Sequence, residues 1–338
     1  RVTEWDGTHG PKRTILASIE ACDHGEVVLL PGVYTGPGNW DIRIDRGPIT
    51  VRGLDPTNWD VVAQTIIDGQ ADQGERHRGF FLDYLADRSV EIAGLTVRNA
   101  YPPRYGDPDG YGGGILIHGS PTIQRCIIAG CQSDRKGGGI ALETQRTCLI
   151  RQCQIVGNRA DRGGGLAGIG RTPGGVEACV IAGNITTSSS SSGAVLDLDG
   201  LVLGSTIVGN RGAWKNTQLY YVTSVVNCII VGSDADAPSP WAGIAYSCTP
   251  GGAWGPGSID ADPLFIDAGY WDDAGTPEDL SDDIWVPGDY RLRPESPCIN
   301  AGDPQWQAEP GATDIAGQPR VLRGRVDMGA WEAPWPGD

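Results

Sequence analysis

The chain has 338 residues, 51 of them Gly and 24 Pro, with nine Cys and a formal net charge of −16. That charge argues against nucleic acid and anionic membrane as partners, and mildly against a polyanionic polysaccharide such as pectin or alginate. No run reaches the roughly 18 apolar residues that a membrane span needs, so no span is expected. The chain opens at Arg1 rather than Met, which fits a processed form located outside the cell or on its surface.

Residues 1–10 precede any regular pattern and read as an arm that docks on its own chain or on a neighbour. Residues 11–25 read as a short capping helix: Ile15, Leu16, Ile19 and Cys22 share a face, Pro11 suits the first turn and Gly25 stops it. Such a helix would cover the open first coil of a strand array. Short β-like runs follow, beginning at Val27–Tyr34, Ile49–Arg52, Thr65–Asp68, Phe80–Leu82 and Val90–Ile92.

Residues 112–210 carry an internal repeat. Glycine triplets start at Gly112, Gly137 and Gly163, each followed by an apolar run, and a weaker copy is Gly193-Ala194-Val195. A second block starts at Cys126, Cys153, Cys179 and Ser205, spaced by 26 or 27 residues, with a fifth copy at Cys228. Two short strands per repeat, glycine at the corners and no helical period predict an all-β, right-handed parallel β-helix, a solenoid whose coils stack at about 4.8 Å. About a dozen such coils would make a rod of about 50–60 Å. Domain organisation is then one β-helix domain over 26–338, with a loop-rich closing segment from about residue 259.

Side-chain alternation sends Cys126, Cys153, Cys179, Ser205 and Cys228 inward with Ile128, Ile155, Ile181, Ile207 and Ile230. Asn158, Asn184 and Asn210 recur at one turn and predict an Asn ladder, for which a left-handed Asn is suited. The outward columns, Ile127, Gln154, Val180, Thr206, Ile229 and Ala129, Val156, Ala182, Val208, Val231, are partly apolar. They are either a stripe covered by a partner or loops, or an ordinary strand face. In-register stacking keeps the ladder thiols too far apart to bridge. Cys22, Cys131, Cys148, Cys248 and Cys298 lie outside the ladder and leave room for one or two disulfides.

Several stretches carry candidate chemistry. The loop over 101–111 holds Tyr101 and Tyr105, and Trp241 and Trp254 lie in a Pro/Gly-rich stretch; all four are candidates for carbohydrate contact, the alternative for the loop being a plain excursion. Asn184-Ile185-Thr186 is a glycosylation sequon beside a hydroxyl run, so Asn184, Ser188, Ser189, Ser190, Ser191 and Ser192 are glycosylation candidates. Asp272, Asp273, Asp279, Asp282 and Asp283 offer hard oxygen ligands for Ca²⁺, or form a solvated acidic loop. No cofactor is required by any motif. Asp197 and Asp199 alternate on one strand and could form a hydrolytic pair. Arg135, Lys136, Arg159 and Arg162 form the best anion-facing patch for a lyase, or are solvated corner charges. His118 sits in Ile-His-Gly rather than the Gly-His-Gly of polygalacturonases, whose catalytic set is otherwise missing.

The opening run from Thr14 to Gln70, and the closing strings Asp262-Pro263-Leu264-Phe265, Ser296-Pro297-Cys298-Ile299-Asn300-Ala301-Gly302-Asp303 and Asp314 to Glu332, resemble secreted bacterial right-handed β-helix repeat proteins of the pectin-lyase-like superfamily, of the kind abundant in planctomycetes. The resemblance covers nearly the whole chain. It implies the fold, whereas the function it implies is open, because that fold hosts lyases, hydrolases and adhesins. The leading expectation is an extracellular structural protein without catalytic activity, partnering itself as a homo-oligomer or a fibre through end-to-end or strand-exchange contacts. The alternatives are a polysaccharide lyase or other carbohydrate-active enzyme, and a glycan-binding module, each with an extracellular polysaccharide as partner.

Overall fold

The computed structural model describes residues 12–22, 24–74, 76–103, 110–143, 146–188, 194–212, 218–232, 243–251, 255–276 and 282–334. Their strands form the parallel β-helix expected from the repeat. Each coil supplies a strand to a first sheet, then a second, then a third. The first sheet has nine strands, from Gly25–Leu29 to Gly243–Ala245. The second has eight, from Gly32–Tyr34 to Ile229–Val231, and the third has seven, from Ile42–Ile44 to Leu219–Tyr220. A four-stranded sheet of Gln132–Lys136, Arg159–Arg162, Ile185–Thr186 and Arg211–Gly212 fills the corner before the glycine triplets. Nine stacked strands span about 40 Å at the usual strand spacing. The rod is shorter than expected because the chain beyond 259 stops coiling and folds back along the outside.

The inward columns are as the alternation requires. Cys126, Cys153, Cys179 and Cys228 are buried in one continuous core with Ile128, Ile155, Ile181, Ile207 and Ile230, and Ser205 is buried in the same column. No cysteine is bridged. Each ladder thiol instead turns to a carbonyl of its own coil, as Cys126 Sγ does to Gln124 O at 3.3 Å and Cys153 Sγ to Arg151 O at 3.3 Å.

The Asn ladder is continuous. Asn158 Nδ2 donates to Asn184 Oδ1 at 3.0 Å, and Asn184 Nδ2 to Asn210 Oδ1 at 2.8 Å. The same oxygens accept the backbone N–H of Asn158 and of Asn184, at 3.0 and 2.9 Å. The left-handed residue at this turn is not the Asn. It is the glycine before it, Gly157, Gly183 and Gly209, at φ 63°, 59° and 63°. In the triplets, Gly112, Gly137 and Gly163 are left-handed. A Cβ on the next residue, Gly113, Gly138 or Gly164, would meet backbone oxygen at 2.2–2.5 Å. Both reasons for glycine therefore operate, at adjacent positions.

Helix α1 (Ile15–Glu20) starts at Thr14, whose side chain caps Ala17 N, and buries Ile15 and Ile19 against the first coil. Helix α2 (Trp59–Gln64), not foreseen in the sequence, is capped by Asn58 and buries Val62.

The semi-apolar outward stripe is covered by the chain itself. Val180, Ala182, Val208 and Ile229 form one buried cluster with Phe265, Trp285, Tyr290, Leu292, Ile315 and Met328 of the closing segment. Trp285 lies across the second sheet, where a Cβ on Gly183 or Gly209 would meet its ring at 2.0 or 2.2 Å. Polar contacts fasten the segment along the rod. Trp59 Nε1 donates to Ile315 O (3.2 Å), Gln152 Nε2 to Thr313 Oγ1 (2.7 Å), and Gly329 N to Asn227 O (2.8 Å).

The closing strings meet in a buried ionic node. Arg320 Nη1 pairs with Glu332 Oε1 at 2.9 Å, and its Nη2 donates to Gly329 O at 2.8 Å. Asp314 accepts N–H bonds from Gln318 and Glu332, and Asp327 from Asn300 and Ala333. Three carboxyls thus surround one guanidinium. Burial outweighs the attraction of Arg320 and pushes Glu332 up to about 9, with Asp314 and Asp327 also raised by burial.

Candidate functional site

Polar side chains gather on the outer face of the third sheet. Alternation puts Arg43, Phe81, Leu116, Ala141, Ala167 and Leu196 on that face, in register from coil to coil. Phe81, Leu116 and Ala141 make a small apolar cluster there, with Tyr111 and Ile169 packed against it. One residue beyond three successive strands stand Asp83, His118 and Glu143. Their backbone N–H groups continue the ladder: Asp83 N to Ile44 O (2.9 Å), His118 N to Leu82 O (2.7 Å) and Glu143 N to Ile117 O (2.7 Å). The three therefore form a row, one per coil, at about 4.8 Å per step.

The row is tightly connected. His118 Nε2 lies 2.8 Å from Glu143 Oε2. The imidazole is buried, edge-on to the Phe81 ring at 4.8 Å and tilted against Tyr84 at 4.7 Å. Two aromatic neighbours fix its orientation, while the Glu143 side chain remains 45% exposed. The Asp83 carboxylate accepts Tyr84 N through Oδ1 at 2.7 Å and pairs with Arg43 through Oδ2. The Arg43 guanidinium lies over the Phe81 ring, 5.2 Å from its centroid. Tyr84 (59% exposed) and Leu85 (71%) form an open lip beside the row.

This row was missed in the sequence, where His118 was weighed only against another family's motif. The signal was present, as Ile42-Arg43-Ile44-Asp45, Phe80-Phe81-Leu82-Asp83, Ile115-Leu116-Ile117-His118 and Ile140-Ala141-Leu142-Glu143. Four times, a three-residue strand is followed by a titratable residue.

The residues singled out in the sequence lie elsewhere. Tyr101 is stacked under the Arg76 guanidinium, 3.8 Å from the ring centroid, and its hydroxyl donates to Asp134 Oδ1 at 2.6 Å; Tyr105, Trp241 and Trp254 lie outside the described residues. Asn184 is not placed as a glycan acceptor. It is fully buried, and its amide nitrogen is held by Ile155 O and Asn210 Oδ1. Ser188 donates its backbone N–H to Asp161 O at 3.0 Å, and Ser189, Ser190, Ser191 and Ser192 lie outside the described residues.

The acidic loop does not converge on a point. Asp272 and Asp273 each cap a turn, at Ala274 N and Gly275 N, Asp282 accepts from Thr276 Oγ1, and Asp283 pairs with Arg211; Asp279 lies outside the described residues. Among the described residues, no group of three or more His, Cys, Asp or Glu is placed to hold a metal ion.

Two cations of the anion-facing patch, Lys136 and Arg162, face carboxylates. Lys136 Nζ pairs with Asp197 Oδ2 at 2.6 Å, Arg135 bonds the Tyr111 hydroxyl at 3.0 Å and Arg162 faces Asp161 at 3.5 Å. Asp197 and Asp199 are not a strand pair either. Asp197 is left-handed at φ 54°, which breaks the alternation, and Asp199 accepts from Thr223 Oγ1. No described helix is long and apolar enough to cross a membrane.

No family model and no curated protein matches the chain. Among solved structures, it is similar to the pectin methylesterase of Aspergillus niger (16% identity, 76% of this chain and 79% of that one, TM-score 0.38). It is similar also to those of Yersinia enterocolitica (14%, 81% and 86%, 0.36) and Erwinia chrysanthemi (11%, 70% and 66%, 0.32). At such similarity, the chemistry of the row has to be read from its own residues.

Proposed function

We propose that the chain is a carbohydrate-active β-helix enzyme, a glycoside hydrolase that holds an extracellular polysaccharide along the outer face of the third sheet. The observation that carries this reading is the in-register row of Asp83, His118 and Glu143, with its 2.8 Å His–Glu contact. Asp83 and Glu143 stand two coils apart, about 9–10 Å at the backbone. With the two carboxyls on separate coils, we assign them to inversion, in which one carboxyl protonates the leaving oxygen and the other activates a water on the opposite side. Glu143, the more exposed carboxyl, with His118 Nε2 2.8 Å away, takes the acid role. Asp83, kept beside the Arg43 cation, is the carboxylate that takes the proton from water. Tyr84 supplies an exposed ring on which a sugar face can stack.

The substrate is a neutral or weakly charged glycan. Arg43 and Lys136, two cations on this face, are paired with Asp83 and Asp197, and the chain as a whole carries −16. A lyase acting on uronates would need cations directed at the substrate carboxylate. One motive of the fibre reading is gone, because the partly apolar stripe is covered by residues of the same chain.

A panel of neutral polysaccharides read by reducing-end release tests the proposal. Glu143→Gln and Asp83→Asn should each lower the rate about 100-fold or more, with the far-UV circular dichroism unchanged. Unaltered turnover in both variants, or an unsaturated product absorbing in the ultraviolet, would sink it.

A further inference from the structure

Two of the nine cysteines differ from the rest. Cys248 follows the last strand of the first sheet and bridges both Ile229 and Ile259. Cys298 belongs to the closing segment, and its carbonyl accepts Met328 N at 3.0 Å. About 50 residues of chain separate them, yet both are fully buried in the same apolar cluster beneath that segment. Both also border the strip 261–263. Cys248 Sγ donates to Ala261 O at 3.2 Å. Ser296 Oγ, which accepts Cys298 N at 3.2 Å, donates to Pro263 O at 2.6 Å. The Cys248 thiol is also the neighbour that acts most strongly on that of Cys298.

The ladder thiols Cys126, Cys153 and Cys179 also neighbour one another, but in-register stacking holds their Cβ atoms about 4.8 Å apart, longer than a disulfide prefers. The ladder thiols point to carbonyls of their own coils, and Cys131 does the same, to Ala129 O at 3.5 Å. Cys22 turns to His24 O at 3.4 Å, at the opposite end of the rod.

We propose that Cys248 and Cys298 are a disulfide site, whose oxidation staples the closing segment to the last coil, leaving seven thiols free. The two thiols lose two protons and two electrons as the S–S bond forms. An external disulfide, such as glutathione disulfide or a thiol–disulfide oxidoreductase, takes up the electrons and is released as two thiols. The neighbouring Cys248 sulfur and burial hold the Cys298 thiol far above its ordinary range, so exchange is suppressed once the segment has docked. The bond therefore forms as the segment closes, and it is shielded from reductant afterwards.

The test is to fold the full chain in glutathione redox buffer, denature it in guanidinium with an alkylating agent, and weigh it with and without prior reduction. Seven alkyl groups without reduction and nine with it are expected, together with a peptide linking Cys248 to Cys298. The oxidised protein should also melt several degrees higher than protein folded in reductant, because a cross-link over a long loop restricts the unfolded chain. Nine alkyl groups in both arms, or a bridge between any other pair, would overturn the proposal. Cys298→Ser should take up eight alkyl groups in both arms; if it fails to fold, the wild-type masses still decide.

Discussion

Asn184 shows what a single residue contributes to this fold. Its oxygen accepts two N–H groups of Asn158, and its nitrogen satisfies Ile155 O and Asn210 Oδ1. Replacing it by Ala leaves those buried groups without partners, at a cost of about 1–3 kcal/mol each. We expect Asn184→Ala to lose about 2–4 kcal/mol in chemical denaturation, more than the same change at an exposed Asn. A loss within error would mean that water replaces the amide. The ladder was legible in the sequence because its residues recur at 26-residue spacing. The row of Asp83, His118 and Glu143 was hidden because its members differ in type and follow strands 35 and then 25 residues apart. Only coil pairing shows that such unequal spacings share one register.

Among the elements, the closing segment shows how far a periodic reading extends. The apolar outward columns could be read from alternation, but their cover could not. The segment has no period of its own, and its contacts reach from Trp59 to Asn227. Trp285 holds it down, seated over Gly183 and Gly209 and bonded through Nε1 to the Tyr290 hydroxyl at 3.0 Å. Trp285→Ala is expected to cost about 3–5 kcal/mol of docking. Limited proteolysis should then release fragments beginning near residue 255 before the coils themselves are cut. Simultaneous loss of coils and segment would instead show that the two unfold as one unit.

Across the whole molecule, stability should depend on pH through the buried node. Glu332 titrates at about 9 in the folded chain, against an ordinary value of 4.5. Between those values the folded chain keeps a proton that the unfolded chain releases, so the stabilisation is whole below about 4.5 and is lost as pH rises toward 9. Asp314 and Asp327, also raised by burial, act in the same direction. Melting temperatures measured across that range should fall with pH, and Glu332→Gln should flatten the slope; an unchanged slope would assign the effect to other groups. The closing motif could be read as a family resemblance, but its electrostatics could not. Asp314, Arg320, Asp327 and Glu332 show their effect only once all four are enclosed together.

The way the closing segment is fastened also bears on how this protein can change in length. Repeat arrays grow by copying a unit, and a further 26-residue copy between Asn184 and Asn210 would suit both the ladder and the core columns. It would nevertheless move the coil of Trp59 away from that of Asn227 by one more step of about 4.8 Å. The tail that ties those two coils, through Ile315 O and Gly329 N, would not lengthen with them. The tail thus meters the rod: a coil can be gained or lost only together with a matching change in a sequence more than a hundred residues downstream.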